Sequence, residues 1–137
     1  MKIKAYLILF LFIINHLTAQ RRIMFNEPPV DGVIFTQSYF GAKSKAFTPT
    51  KTTIQKIELF LRNSKIDFSK YKRQYAGFTF NNQKYVEVTL LPNEVIKHHK
   101  DWRLNYVLTQ DDNRIYTVRY YLTTKEMQLF RQSGGFP

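Results

Sequence analysis

The 137-residue chain contains no cysteine. Disulfide scaffolds, thiol nucleophiles and thiolate metal sites are thereby excluded, because each requires sulfur. Acidic residues are scarce, with 10 Asp+Glu against 21 Lys+Arg, a formal charge of +11. Such a balance favours anionic partners without naming one. Glycine and proline are few, 5 of each, and no G-x-G-x-x-G or G-x-x-x-x-G-K pattern occurs, so a phosphate-cradling loop of nucleotide enzymes is missing. No G-x-S-x-G elbow surrounds any serine, which argues against triad hydrolysis. The apolar run near the amino terminus, Ala5 to Ile14, is about half the ~20 residues that a spanning helix needs.

What is plentiful is aromatic: 12 Phe and 9 Tyr, in a chain that is 44% hydrophobic. That is core-forming material for one folded domain rather than a disordered segment.

Lys2 and Lys4, the apolar run and the small Ala19 make residues 1–19 read as a secretory signal cleaved after Ala19. The mature chain keeps 19 basic residues against 10 acidic ones, so its charge is +9. It is expected outside the cytoplasm, periplasmic or extracellular, with no transmembrane segment. Export disfavours nucleic acid as partner and brings anionic glycans, acidic lipids and proteins into range. No cofactor is implied.

The segment 20–49 carries Pro28-Pro29, Asp31-Gly32, Gly41 and Pro49, and is expected as an arm with one short strand around Gly32 to Thr36. Residues 50–137 are expected as the domain. A helix is predicted from Thr50 to Asn63, since Ile54, Ile57, Phe60 and Leu61 recur at helical spacing and Thr52 with Gln55 resembles a capping box. Two hairpins follow. The first joins Tyr71–Phe80 to Lys84–Leu91 through Asn81-Asn82-Gln83, and the second joins Trp102–Thr109 to Ile115–Leu122 through Asp111-Asp112-Asn113. A last short strand is expected at Met127–Phe130. The resulting fold class is α+β: one N-terminal amphipathic helix on a curled four- to five-stranded antiparallel sheet.

Alternation assigns Val86, Val88 and Leu90, with Ala76, Phe78 and Phe80 opposite, to the buried face. Trp102, Leu104, Tyr106, Leu108, Tyr116, Val118, Tyr120 and Leu122 join them. The other face then gathers Tyr and Arg, and Arg73, Tyr75, Tyr85, Arg103, Arg119 and Tyr121 form the candidate binding surface, because Tyr and Arg combine rigid contact area with anion recognition. A one-residue slip in any strand would exchange its two faces. His98, His99 and Asp101 are the residues from which a metal site or a small hydrolase would have to be built.

The run Tyr71-Lys-Arg-Gln-Tyr-Ala-Gly77-Phe78 after an amphipathic helix, and Leu122-Thr-Thr-Lys125 after a Tyr-rich strand, resemble small secreted bacterial proteins with a cystatin-like helix-on-sheet arrangement. The resemblance spans roughly Thr50 to Phe130 and implies a fold. Cystatin inhibitors insert a Gln-x-Val-x-Gly hairpin and a Pro-Trp loop into a protease cleft. Gln74-Tyr-Ala-Gly77 is one residue shorter, and Trp102 follows Asp101 rather than proline. The leading functional expectation is therefore a non-enzymatic binding module for an anionic or protein partner, with a protease inhibitor as the alternative and a hydrolase third.

Overall fold

A computed structural model describes residues 20–107 and 112–131. The expected signal, residues 1–19, lies outside them, as do Leu108, Thr109 and Asp111 of the expected second hairpin and the Gly134-Gly135 tail. Among the described residues no helix is long and apolar enough to cross a membrane.

Seven strands form one mixed sheet: β1 (Arg22–Phe25), β2 (Gly32–Phe35), β3 (Ala46–Phe47), β4 (Lys72–Phe80), β5 (Gln83–Leu91), β6 (Tyr116–Tyr121) and β7 (Met127–Arg131). The spatial order is β1-β2-β4-β5-β6-β7, and β3 also pairs with β4. Among the described residues three helices accompany them: α1 (Gln37–Phe40), α2 (Lys51–Arg62) and α3 (Asn93–Ile96). This corrects the expected fold of one helix on a four- to five-stranded antiparallel sheet. The sheet is larger, and β2 runs parallel to β4, with Gly32 beside Arg73 and Phe35 beside Ala76.

The difference originates in the segment expected as an arm. Gly32-Val-Ile-Phe is buried at all four positions, the pattern of a strand covered on both faces. It occupies the first half of β4's edge, and β3 occupies the second half through Ala46–Phe78 and Phe47–Gly77 pairing. Gly77 permits this approach, since a Cβ there would stand 2.5 Å from the Phe47 carbonyl oxygen. β1 folds back antiparallel on β2 and makes one sheet edge.

α2 covers the sheet where the apolar spacing placed it. Its N-cap is Thr50, whose hydroxyl accepts from Thr53 N at 3.2 Å, and not the expected Thr52–Gln55 box. Ile54, Ile57 and Leu61 enter a core with Phe25, Ile34, Tyr75, Val86, Val88, Leu90, Val118 and Tyr120.

The first hairpin turns in two residues, not three. Asn81 and Asn82 have φ of 49° and 60°, both left-handed, as a type I′ turn requires. Phe80 therefore pairs with Gln83, and Tyr75 with Val88. That single residue of loop length turns β4 over. Arg73 and Tyr75 point into the helix-side core, while Ala76 and Phe78 move to the far face.

The second expected hairpin is also corrected. Residues 102–107 form a turn and irregular loop rather than a strand, and β6 pairs with β5 on one side and β7 on the other. Trp102 and Val107 instead cap the far face in a second core with Val33, Phe35, Leu91, Val95 and Ile115. Buried Gln74 anchors that cover: its amide nitrogen donates to the carbonyls of Trp102 (2.6 Å) and Asn105 (2.9 Å), and its oxygen accepts from Val107 N (2.9 Å).

Candidate functional site

The six residues of the expected Tyr/Arg surface are divided among three places. Arg73 is 3% exposed and Tyr75 fully buried, both beneath α2. The Arg73 guanidinium lies against the Glu58 carboxylate through two 3.3 Å contacts and donates to the carbonyls of Phe68 and Tyr71. The Tyr75 hydroxyl donates to Glu58 Oε1 at 2.7 Å. Burial, then the neighbouring Glu58 charge, pushes the Tyr75 phenol far above its ordinary range. These two residues belong to the core and leave the candidate surface.

Glu58 also borders two clefts along α2, of about 290 and 330 Å³, which share Val30, Glu58 and Arg62. Its oxygens already take three donors from Arg73 and Tyr75. The carboxylate thereby ties α2 to β4.

Arg103 sits on the loop after α3. It stacks on Trp102, with its guanidinium carbon 4.3 Å from the ring centroid, and bonds Asp31 at 2.7 Å. Lys72 shares the same carboxylate at 2.9 Å, so both cations of this corner are held by one acid and one positive charge is left in excess.

Tyr85, Arg119 and Tyr121 remain together on the far face. Tyr85 faces Tyr121 across β5 and β6 with centroids 5.7 Å apart, and Glu87 faces Arg119. Arg119 Nε donates to Glu87 Oε2 at 2.9 Å, the Tyr106 hydroxyl donates to Glu87 Oε1 at 2.9 Å, and the Arg119 guanidinium carbon lies 5.1 Å from the Tyr85 centroid. Burial, then Glu87, raises the Tyr85 and Tyr106 phenols. An aromatic ladder continues inward: Phe78 lies 5.9 Å from Tyr85 and 5.3 Å from Phe40 of α1. At its inner end Tyr106 and the Gln74-anchored loop close the face.

The outer end stays open, and it is the basic end. Thr79 pairs with Lys84, Thr79 N donates to the Lys45 carbonyl (3.1 Å), and Leu122 N donates to the Lys84 carbonyl (3.0 Å). One row across the sheet thus brings Lys45, Lys84 and the β6–β7 turn with Lys125 to the same edge, with Lys43 two residues upstream. All four lysines are exposed, and the one nearby carboxylate in these turns is Glu126. Beside them Phe80, the last residue of β4, is 69% exposed. Sequence reading missed this cluster because its members are far apart in the chain. A large apolar residue directly before an Asn-Asn turn was the available signal.

His98, His99 and Asp101 lie between α3 and Trp102. His99 N donates to the carbonyls of Val95 and Ile96, and Asp101 accepts from the Asn105 side chain. Among the described residues no group of three or more His, Asp or Glu side chains could hold a metal ion. The inhibitor-motif positions are interior: Gln74 is fully buried and Trp102 nearly so. Compared with family models, curated proteins and solved structures, the chain matches none.

Proposed function

We propose that this chain is an exported, non-enzymatic binding module for an anionic partner, and that it binds through the open end of the sheet around Phe80, Tyr85, Arg119 and Tyr121. The observation that supports this reading is the set of exposed lysines, Lys43, Lys45, Lys84 and Lys125, at the end of the sheet where the Phe80 ring is uncovered. Arg119 serves as a positioning residue: it holds the Tyr85 ring and the Glu87 carboxylate in place. The buried carboxylate, Glu58, is fully engaged by its neighbours, so the fold spends it on packing. The amino-terminal pattern supports export, and protein recovered outside the cytoplasm should begin at Gln20.

The test is retention of the full chain on an immobilised sulfated polysaccharide, eluted with rising salt. Lys84→Glu combined with Lys125→Glu should elute at clearly lower salt while melting at the same temperature, because exposed charges contribute through a screened field. Unchanged retention of that variant would place binding elsewhere.

A further inference from the structure

We propose that the partner is an anionic lipid bilayer surface, on which the hairpin end docks with Phe80 inserted. This rests on the anionic-partner reading and names its partner class.

Two features coincide at this end. One is charge: four exposed lysines, Lys43 and Lys45 before β3, Lys84 at the start of β5 and Lys125 before β7, share one edge of the sheet. The other is apolar. The strand period carries Phe80 to the same face as Phe78; the Phe40 ring of α1 lies against Phe78, while the Phe80 ring stands in water at 69% exposure. A soluble polyanion would satisfy the lysines and leave that ring hydrated. A bilayer takes both, since the acyl boundary accepts the ring while headgroup phosphates meet the ammonium groups. Lys84 Nζ lies over the Phe47 ring, 5.6 Å from its centroid, so an ammonium group and an aromatic surface already meet at this end of the sheet. One row inward, Tyr85 and Tyr121 are half-buried, and amphipathic rings of this kind suit headgroup depth. Asn81 and Asn82 at the turn are polar and limit insertion to the interface.

The experiment mixes the full chain with vesicles of phosphatidylcholine alone and of phosphatidylcholine with phosphatidylglycerol, and reads co-sedimentation. Partitioning onto the anionic vesicles should fall roughly tenfold in Phe80→Ser and about thirtyfold for each of the charge reversals Lys84→Glu and Lys125→Glu, which change the charge by two. The amino-terminal segment is identical in all variants, so differences between them report the hairpin end. All three substituted side chains are exposed, and unchanged melting temperatures would verify the fold. In Phe80→Trp, the added indole should shift to the blue and be quenched by brominated acyl chains, while buried Trp102 stays silent.

Equal partitioning of Phe80→Ser and the parent chain, or an unquenched indole, would overturn insertion. Binding to sulfated polysaccharide without preference for anionic vesicles would overturn the lipid assignment and keep the anionic-partner reading. Lysine-independent behaviour toward both ligands would overturn the two together.

Discussion

The Glu58–Arg73–Tyr75 group shows how a few side chains decide what the sheet can present. Arg73 offers five donor hydrogens, and four meet acceptors at Glu58, Phe68 and Tyr71. Removing one member of a buried pair strands the other charge, at a cost of about 3–5 kcal/mol. Glu58→Leu strands the Arg73 charge and the Tyr75 hydroxyl, whereas Arg73→Met strands Glu58 and two backbone carbonyls. Both should lower the urea midpoint severely, and Arg73→Met more. The same group sets an alkaline limit. Folded Tyr75, Tyr85 and Tyr106 all have phenol pKa values above the ordinary 10.0. The neutral phenol is the form the fold prefers. Its contribution is therefore complete below pH 10 and is lost as pH rises from there toward the folded values. Absorbance at 295 nm should show these three of the 9 tyrosines resisting ionisation until the chain unfolds cooperatively above pH 10. Tyr75→Phe should lose about 1 kcal/mol near neutrality and show a flatter alkaline decline. An unaltered decline would deny Tyr75 its part.

Between neighbouring elements, one turn controls the register of β4. Asn81 and Asn82 hold left-handed φ, which costs an ordinary L-residue about 1–2 kcal/mol and asparagine less. Asn82→Gly should raise the melting temperature slightly, and Asn82→Val should lower it by several degrees, the equivalent of about 1–2 kcal/mol. If the two variants melt alike, the turn does not hold the register. Legibility follows the same lines. The α2 helix could be read because its signal is local: Ile54, Ile57 and Leu61 repeat within one segment and point one way. The positions of β4 and β5 were equally legible, but their facing was not, because Asn81-Asn82 and Asn81-Asn82-Gln83 are both acceptable loops and differ by one residue. Phe78 and Tyr75 are both large and suited to strands, so composition could not choose between the two faces. Tyr85, Arg119 and Tyr121 stayed together because β5 and β6 each kept their alternation, whereas Arg73 and Tyr75 were lost from the surface with β4. β2 was legible as a strand, but its parallel pairing with β4 joins residues about 40 apart and leaves no local periodicity.

Across the whole molecule, the amino-terminal strands are inseparable from the sheet they adjoin. Phe25, Val30 and Ile34 lie in the helix-side core, and Val33 and Phe35 in the far-face core. Burial of such side chains contributes about 1.5–3 kcal/mol each, so these five together match the roughly 5–15 kcal/mol net stability of a domain. Their loss would also uncover β4, whose edge would then display unpaired amides and carbonyls next to exposed core. A chain beginning at Thr50 keeps α2 and both remaining hairpins but should not unfold cooperatively. A chain beginning at Gln20 should melt as one transition. Calorimetry of the two decides it. A sharp transition in the shorter chain would make residues 20–49 a true appendage, whereas a broad, featureless trace would mean that β1, β2 and β3 complete the only core available. In that case the basic end is also set by the amino-terminal segment, since β3 carries Lys45 to the same row as Lys84, and no binding surface would survive the truncation.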